Sequence, residues 1–408
     1  MKIDLISEHA SPLATLGGVD AGGQNVHVAA LATELGRRGH EVTVCTRRDD
    51  PGLPDELPFA PGVTVRHVPA GAPRPLPKDD LLAHMPTFAR HLARRWRSQP
   101  PDVAHAHFWM SGLAAVWAAE AVPLPVPVVQ TFHALGVVKR RHQAAADTSP
   151  PQRVALEASV AQQARVIIAT CTDEVRELIG CGARPEAMYV VPCGVDCQAF
   201  QPGGSSRESG SPARILSIGR LVPRKGVDTV LAAVAQVPDA ELLVAGGPDQ
   251  RDLDTDPEVA RLRRAARRYG IAGRVRFIGR VAHAEVPALL RSADVVVSTP
   301  WYEPFGIVPV EAMACGTPVI ASAVGGHLDT VADGVTGLLV PPRDAAALAG
   351  RLRQLLADPD WRRRLGAAGA AYARARYSWD RIAAETEAIY AAVRQDQAAV
   401  AARTEPGQ

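Results

Sequence analysis

Two glutamates eight residues apart, Glu303 and Glu311, bracket the end of the run from Ser298 to Glu311. The pattern puts Glu303 in a loop and Glu311 inside a helix. A carboxylate at a loop start can face the hydroxyls of a sugar, and one two turns along a helix can accept from both hydroxyls of a ribose. Between them, Phe305 and Gly306 leave backbone N–H groups free at the helix start. Upstream, the strand Ile215-Leu216-Ser217-Ile218 ends in Gly219-Arg220-Leu221-Val222-Pro223-Arg224-Lys225-Gly226. Its cations lie at the carboxyl end of a strand, where a diphosphate would sit in an open α/β sheet.

The first half carries a second set. A glycine-rich stretch, Gly17-Gly18-Val19-Asp20-Ala21-Gly22-Gly23-Gln24-Asn25, feeds directly into a helix, which lets backbone approach a ligand and favours a phosphate. It lacks the spacing of a dinucleotide fingerprint, and Glu41 to Arg47 offers no ribose-binding acid, so a nicotinamide enzyme is not expected. His133 stands alone at the carboxyl end of a strand. Lysine is scarce: Lys2, Lys78, Lys139 and Lys225 stand against 41 arginines. Codon bias in a GC-rich genome is the simplest explanation, and a lysine that survives it marks a place for a compact point charge. Lys78 and Lys225 are therefore candidates.

These residues need a scaffold of strand ends. The chain opens with Ile3-Asp4-Leu5-Ile6, a helix from about Gln24 to Arg38 with Val28, Leu31, Ala32 and Leu35 at helical spacing, and the strand Glu41 to Cys45. Short apolar strands recur at Val63 to Val68, Val103 to His105, Val126 to Thr131, Arg165 to Thr170 and Met188 to Val191, which predicts a parallel sheet covered on both faces. After a polar Pro/Gly/Ser run the pattern restarts, with strands near Arg214, Leu242, Val275, Val295, Val319 and Leu338. The division expected is 1–200 for an N-terminal domain, 201–212 for a linker, 213–376 for a second domain, 377–395 for a helix packing back on the first, and 396–408 for a disordered tail. Two such sheets predict ligand chemistry in a cleft between the domains.

Composition narrows the class. With 408 residues, 47% hydrophobic and 22% charged, two soluble α/β cores are expected, and a net charge of +2 argues against a nucleic-acid partner. No apolar run approaches the roughly 20 residues that cross a bilayer, and no signal-peptide pattern opens the chain, so a cytoplasmic protein is expected. The six cysteines are scattered; Cys193 and Cys197 lack the further ligands that zinc requires.

The run from Gly219 to Gly226, the Glu303/Glu311 pair, and the stretches Glu311-Ala312-Met313-Ala314-Cys315-Gly316-Thr317-Pro318-Val319-Ile320-Ala321-Ser322, Gly325-Gly326 and Asp333-Gly334-Val335-Thr336-Gly337 together resemble retaining glycosyltransferases of family 4. The likeness covers nearly the whole chain. It implies the GT-B fold, an α/β architecture of two facing Rossmann-like doubly wound domains with an inter-domain cleft. Within the family the first half is most similar to inositol-phosphate glycosyltransferases and next to sucrose-phosphate synthases, on His9, Asp20 to Asn25, Lys78, His105 to Trp109, Thr131 to His133 and Val137 to Lys139. Two departures stand out: Phe108 replaces a tyrosine and Ala134 a threonine, both belonging to an acceptor-phosphate site. Two lost hydrogen bonds of about 1 kcal/mol each leave binding to Lys78 and Arg153.

The resemblance implies a hexose, glucose or N-acetylglucosamine, taken from a UDP-sugar donor and passed to a small polar acceptor such as inositol phosphate or a sugar phosphate. Arg220, Lys225, Glu303 and His133 are the implied catalytic set. His9, Gly23, Val281, Phe305, Gly306 and Glu311 join Arg220, Lys225 and Glu303 around the donor, and Asp20, Gly22, Asn25, Lys78, Phe108 and Arg153 surround the acceptor. Cations take the place of a metal, so neither a divalent metal nor a tightly bound cofactor is expected, and the protein is read as a monomer or homodimer. Two alternatives remain: a lipid-linked acceptor at a membrane surface, raised by the basic stretch Arg90 to Arg97, and a nucleotide-sugar epimerase.

Overall fold

The structure is a computed structural model that describes residues 1–13, 22–124, 126–144, 147–203 and 211–404, with side chains to residue 397. The chain separates into two compact units. One comprises Met1–Cys193 with the residues from Trp379 onward, and the other comprises Gly194–Ser378. The division therefore falls just ahead of the Pro/Gly-rich run expected to be the linker, of which residues 204–210 lie outside the described residues.

The first unit is built on eight strands: β1 (Lys2–Ile6), β2 (Glu41–Arg47), β3 (Glu56–Ala60), β4 (Val63–Val68), β5 (Val103–His107), β6 (Val128–Thr131), β7 (Val166–Ala169) and β8 (Met188–Val190). Their order in the sheet is β3-β4-β2-β1-β5-β6-β7-β8. Among the described residues, six α-helices connect them: α1 (Gly23–Arg37), α2 (Met85–Ser98), α3 (Trp109–Glu120), α4 (Gly136–Gln143), α5 (Arg153–Gln163) and α6 (Thr172–Gly180). Val28, Leu31, Ala32 and Leu35 of α1 are all buried against the sheet, as their spacing requires. Truncating one such leucine to alanine costs about 2–5 kcal/mol.

The second unit has six parallel strands: β9 (Ala213–Ile218), β10 (Ala240–Ala245), β11 (Val275–Gly279), β12 (Val295–Ser298), β13 (Val319–Ser322) and β14 (Leu338–Val340). The order is β11-β10-β9-β12-β13-β14. Its helices are α7 (Val227–Val234), α8 (Pro257–Arg268), α9 (Val286–Arg291), α10 (Ile307–Ala314), α11 (His327–Thr330), α12 (Ala345–Ala357) and α13 (Pro359–Tyr377). The last helix of the chain, α14 (Trp379–Thr404), contributes Trp379, Ile382, Ala383, Ile389, Tyr390 and Val393 to the core of the first unit.

Two expectations need correction. The first sheet is not wholly parallel, because β3 pairs antiparallel with β4 at its edge. Its sequence carries Pro58, which cannot donate to a ladder and is tolerated only at an edge, so no apolar alternation announced the strand. The final helix also runs past residue 395 to Thr404, through Ala398, Ala399, Ala401 and Ala402, where alanine has the highest helix propensity. No helix among the described residues is long and apolar enough to cross a membrane.

In both units the strand order reverses at the first strand, between β1 and β5 and between β9 and β12. Loops leaving the carboxyl ends of those neighbouring strands diverge to opposite faces and open a crevice, the usual ligand position in such sheets.

Candidate active site

In the second unit, the loop after β9 carries Arg220, Arg224 and Lys225, and the loop after β12 carries Glu303. The strand-order reversal brings these loops together across 78 residues of sequence: the Lys225 ammonium pairs with Glu303 Oε2, and Arg224 Nη1 lies 4.0 Å from the same oxygen. Both side chains of the pair are largely shielded. Desolvation works against the charge on Glu303, yet Lys225 and Arg224 outweigh it and hold the carboxyl below its usual range. Burial pushes the Lys225 ammonium down, aided by Arg224 and Arg220 and opposed by Glu303. Arg220 is thus close enough to be felt, although its own side chain is exposed. Two cations, Lys225 and Arg224, face the Glu303 carboxylate, an arrangement that suits an anionic ligand.

The Gly325-Gly326 pair explains why the Glu303 loop holds its shape. The Gly326 N–H donates to the Glu303 carbonyl at 2.9 Å. A Cβ on Gly325, at φ +46°, would run into that carbonyl, and one on Gly326 would run into the backbone of Phe305. Phe305 is buried with its ring edge-on to Tyr377 at 6.0 Å, and Gly306, at φ +90°, caps the start of α10. Glu311 lies buried in that helix with no side-chain partner among the described residues, and burial alone pushes its carboxyl up to about 8. Val281 is half-buried directly after Arg280, whose N–H donates to the Pro248 carbonyl at 2.9 Å.

In the first unit the reversal brings the loop after β1 beside the end of β5. Phe108 is the centre of this group: Lys78 Nζ lies 5.0 Å and Arg153 Cζ 5.3 Å from its ring centroid, and the His9 ring meets it edge-on at 4.8 Å. Contacts of cations with an aromatic face are worth about 0.5–2 kcal/mol each. Arg153 is buried and committed, donating to Glu157 at 2.7 Å, Ser149 at 3.1 Å and the Ala134 carbonyl at 2.9 Å. His9 Nδ1 lies 2.6 Å from Glu8 Oε1, and Glu8 is itself held by Ser111 of α3. The Gly22 N–H donates to Asn25 Oδ1 at 3.0 Å, while Asn25 Nδ2 donates to the Ser11 carbonyl. The Asn25 amide is therefore occupied in shaping the turn that leads to Gly23, the first residue of α1. Asp20 lies outside the described residues, as do Gly17, Gly18, Val19 and Ala21.

Phe108 and His133 follow β5 and β6 with φ of +81° and +61°. Such conformations cost a non-glycine residue about 1–3 kcal/mol and cluster where function holds them. His133 Nε2 is 3.0 Å from His107 Nδ1. Burial holds His133 and His107 well below the ordinary imidazole range, so both are neutral.

Sequence reasoning did not single out Arg224 as the partner of Glu303, Glu8 as the support of His9, Glu157 as the support of Arg153, or the rings of His27 and His107. For His105 and His107 a signal existed, since alternate residues of a strand share a face. For Glu157 one existed too, since Arg153 precedes it by four residues on the same helix, whereas the tie of Glu8 to Ser111 spans 103 residues and only the fold supplies it.

The chain was compared with known proteins. Residues 21–199 match the model of glycosyltransferase family 4, and residues 204–372 that of glycosyl transferases group 1. The D-inositol 3-phosphate glycosyltransferase of Streptomyces bingchenggensis is 38% identical over 96% of this chain and 89% of its own length. Its counterpart in Mycobacterium tuberculosis is also 38% identical, over 97% and 83%. Among solved structures, sucrose-phosphate synthase from Thermosynechococcus elongatus matches with a TM-score of 0.87 and 34% identity, covering 98% of this chain and 99% of that one. The Anabaena HepE protein in complex with UDP and glucose matches with a TM-score of 0.72 at 22% identity, over 95% and 98%, a likeness of fold. With two Rossmann-like sheets, matches to both family models and relatives at this identity over nearly the full length, the chain belongs to glycosyltransferase family 4, a family of retaining hexosyltransferases with the GT-B fold.

Proposed function

We propose that this enzyme transfers a hexose, glucose or N-acetylglucosamine, from a UDP-sugar to a small polar acceptor that carries a phosphate. One observation carries the donor half: Lys225 is ion-paired to Glu303 beside Arg224, on the two loops that meet where the strand order reverses. In this reading Lys225 and Arg220 hold the diphosphate, Glu303 accepts from hydroxyls of the sugar, Glu311 accepts from the ribose, and N–H groups at Phe305 and Gly306 meet the phosphate end. His9, Gly23 and Val281 complete the donor contacts, the last near the base. The names of similar proteins support the choice of ligands: one acts on D-inositol 3-phosphate, and the HepE structure contains UDP and glucose.

The acceptor hydroxyl oxygen attacks the anomeric carbon on the face from which the diphosphate departs. The bond from that carbon to the phosphate oxygen breaks, and one of the oxygens of the departing diphosphate takes the acceptor's proton, so configuration is retained. Charge accumulates on the leaving diphosphate, and preorganised cations there are the main source of acceleration. His133 hydrogen-bonds a sugar hydroxyl. Lys78 and Arg153, beside Phe108, form the cationic side of the acceptor site, with Gly22 and Asn25 shaping the adjoining loop and Asp20 a further acceptor contact in this reading.

The test is release of nucleotide diphosphate from UDP-glucose and UDP-N-acetylglucosamine, with and without inositol phosphate, fructose 6-phosphate or free polyols. Release that rises only with a phosphorylated acceptor is expected. Release equally stimulated by free polyols would overturn the phosphate assignment, and no release from any UDP-sugar would overturn the donor.

A further inference from the structure

The ring network beneath His133 defines a role for a residue that the proposed reaction has not used. Four histidines, His27, His105, His107 and His133, lie together in the first unit, with ring centroids 4.1 Å apart for His105 and His107, 5.3 Å for His107 and His133, and 5.0 Å for His27 and His133. Trp379 and Tyr390 of α14 close the group, edge-on to His27 and His105. His27, His105 and His107 are buried, whereas His133 is half-buried.

Hydrogen-bond polarity can be followed through this group atom by atom. The Thr131 hydroxyl donates to the Ile168 carbonyl at 2.9 Å, so its oxygen is left to accept from His105 Nε2, also 2.9 Å away. A neutral His105 with its proton on Nε2 has a lone pair on Nδ1, which accepts from the Tyr390 hydroxyl at 2.5 Å. Burial takes His105 down to about 3, consistent with that neutral ring. The tautomer of His105 is thereby settled by a carbonyl that can only accept.

His107 and His133 share one proton position between Nδ1 and Nε2 at 3.0 Å. Two arrangements are possible. If His133 donates, the neutral His107 must carry its proton on Nε2, an atom that is buried with no partner among the described residues. If His107 donates from Nδ1, its Nε2 keeps only a lone pair. A buried donor left unpaired is rarer and costlier than an underused acceptor. We infer that His107 is a positioning residue: its Nδ1–H donates to His133 Nε2, which fixes His133 as an Nδ1–H donor toward its ligand. His133 Nδ1 has no partner among the described residues, so it is the nitrogen left to the ligand, and the ligand atom it meets must be an acceptor, such as a hydroxyl oxygen. The arrangement parallels the way a second hydrogen bond orients a metal-bound imidazole, here with a sugar in place of the metal.

The inference rests on the reading of His133 as a group that touches the sugar, and the two are separable. Long-range proton–nitrogen correlation on the full chain, with nitrogen-15 histidine, reads tautomers directly in the wild type at neutral pH. Protonated Nδ1 on both His107 and His133 is expected; a proton on His133 Nε2 overturns the assignment. Kinetics give the second readout. His107→Phe, which keeps a ring but no donor, is expected to lower kcat/KM about tenfold, and His107→Asn, whose amide can donate from nearly the same place, to recover it to within about threefold. Equal activity in the Phe variant would overturn the positioning role. If His133→Ala turned over as well as the wild type, the sugar contact itself would be refuted, while the tautomer measurement would still decide the His107–His133 bond.

Discussion

In the second unit, the crevice at the strand-order reversal is lined by Lys225, Arg224 and Glu303, whose charges are held in place by one another. At the equivalent reversal in the first unit stand His9, Phe108 and the neutral ring of His107, with the cations Lys78 and Arg153 kept to the faces of Phe108. One fold has been furnished twice, once with ion pairs and once with aromatic rings and directed hydrogen bonds. The difference teaches that the topology dictates where a ligand binds, and the residues at two strand ends dictate what it is. A charge-dense pocket suits a diphosphate leaving group; rings and directed hydrogen bonds suit hydroxyls that must be told apart, with Lys78 and Arg153 beside Phe108 suited to an acceptor phosphate.

The contrast is broken most severely by Lys225→Ala. Loss of about 10²–10³ in kcat is expected, as for other preorganised groups that meet developing charge, and nucleotide diphosphate release at saturating donor measures it. Next in size is Gly325→Ala, which forces a Cβ against the Glu303 carbonyl at a left-handed φ. A loss of about 1–3 kcal/mol in stability, seen in thermal unfolding, should accompany weaker donor binding.

The pH dependences contributed by Glu311 in the second unit and His27 in the first should have opposite signs. Burial raises Glu311 to about 8, so its contribution to stability is fully present below about 4.5, the unfolded value, and is lost as pH rises toward 8. Glu311→Gln should therefore gain stability over the wild type at pH 8 relative to pH 5. Burial lowers His27 to about 4, so the folded state resists protonation and stability is lost as pH falls from 6.5 toward 4. His27→Phe should gain relative to the wild type in that acid window. Chemical denaturation of each variant at the paired pH values checks both signs.

The smallest effect sharpens the acceptor side. Phe108→Tyr adds a hydroxyl at the edge of the ring that Lys78 and Arg153 lie over, and a gain of about 1 kcal/mol for a phosphorylated acceptor, seen as a KM lower by about fivefold, is expected. A free polyol should not respond.

Much of this was legible in the residues. The Glu303/Glu311 spacing and the cations after β9 are local patterns, and local patterns survive reading in one dimension. The strand runs of both sheets were legible for the same reason, since strands buried on both faces are nearly continuous in apolar residues. What escaped was relational. Strand β3 hides behind Pro58, the Asn25 amide proves to be engaged by its own loop, and Glu8 looks like an ordinary surface carboxylate until Ser111 arrives from elsewhere in the chain. Aromatic contacts of Lys78 and Arg153 with Phe108 likewise join three distant stretches.

The central claim is that cations of the second unit grip a diphosphate. Calorimetric titration of UDP and UMP into the wild type and Lys225→Ala tests it most directly, because the two ligands differ by one phosphate. UDP should bind the wild type markedly more tightly than UMP, and the substitution should erase most of that difference while leaving UMP nearly unaffected. An unchanged UDP-to-UMP ratio in the variant would contradict the account.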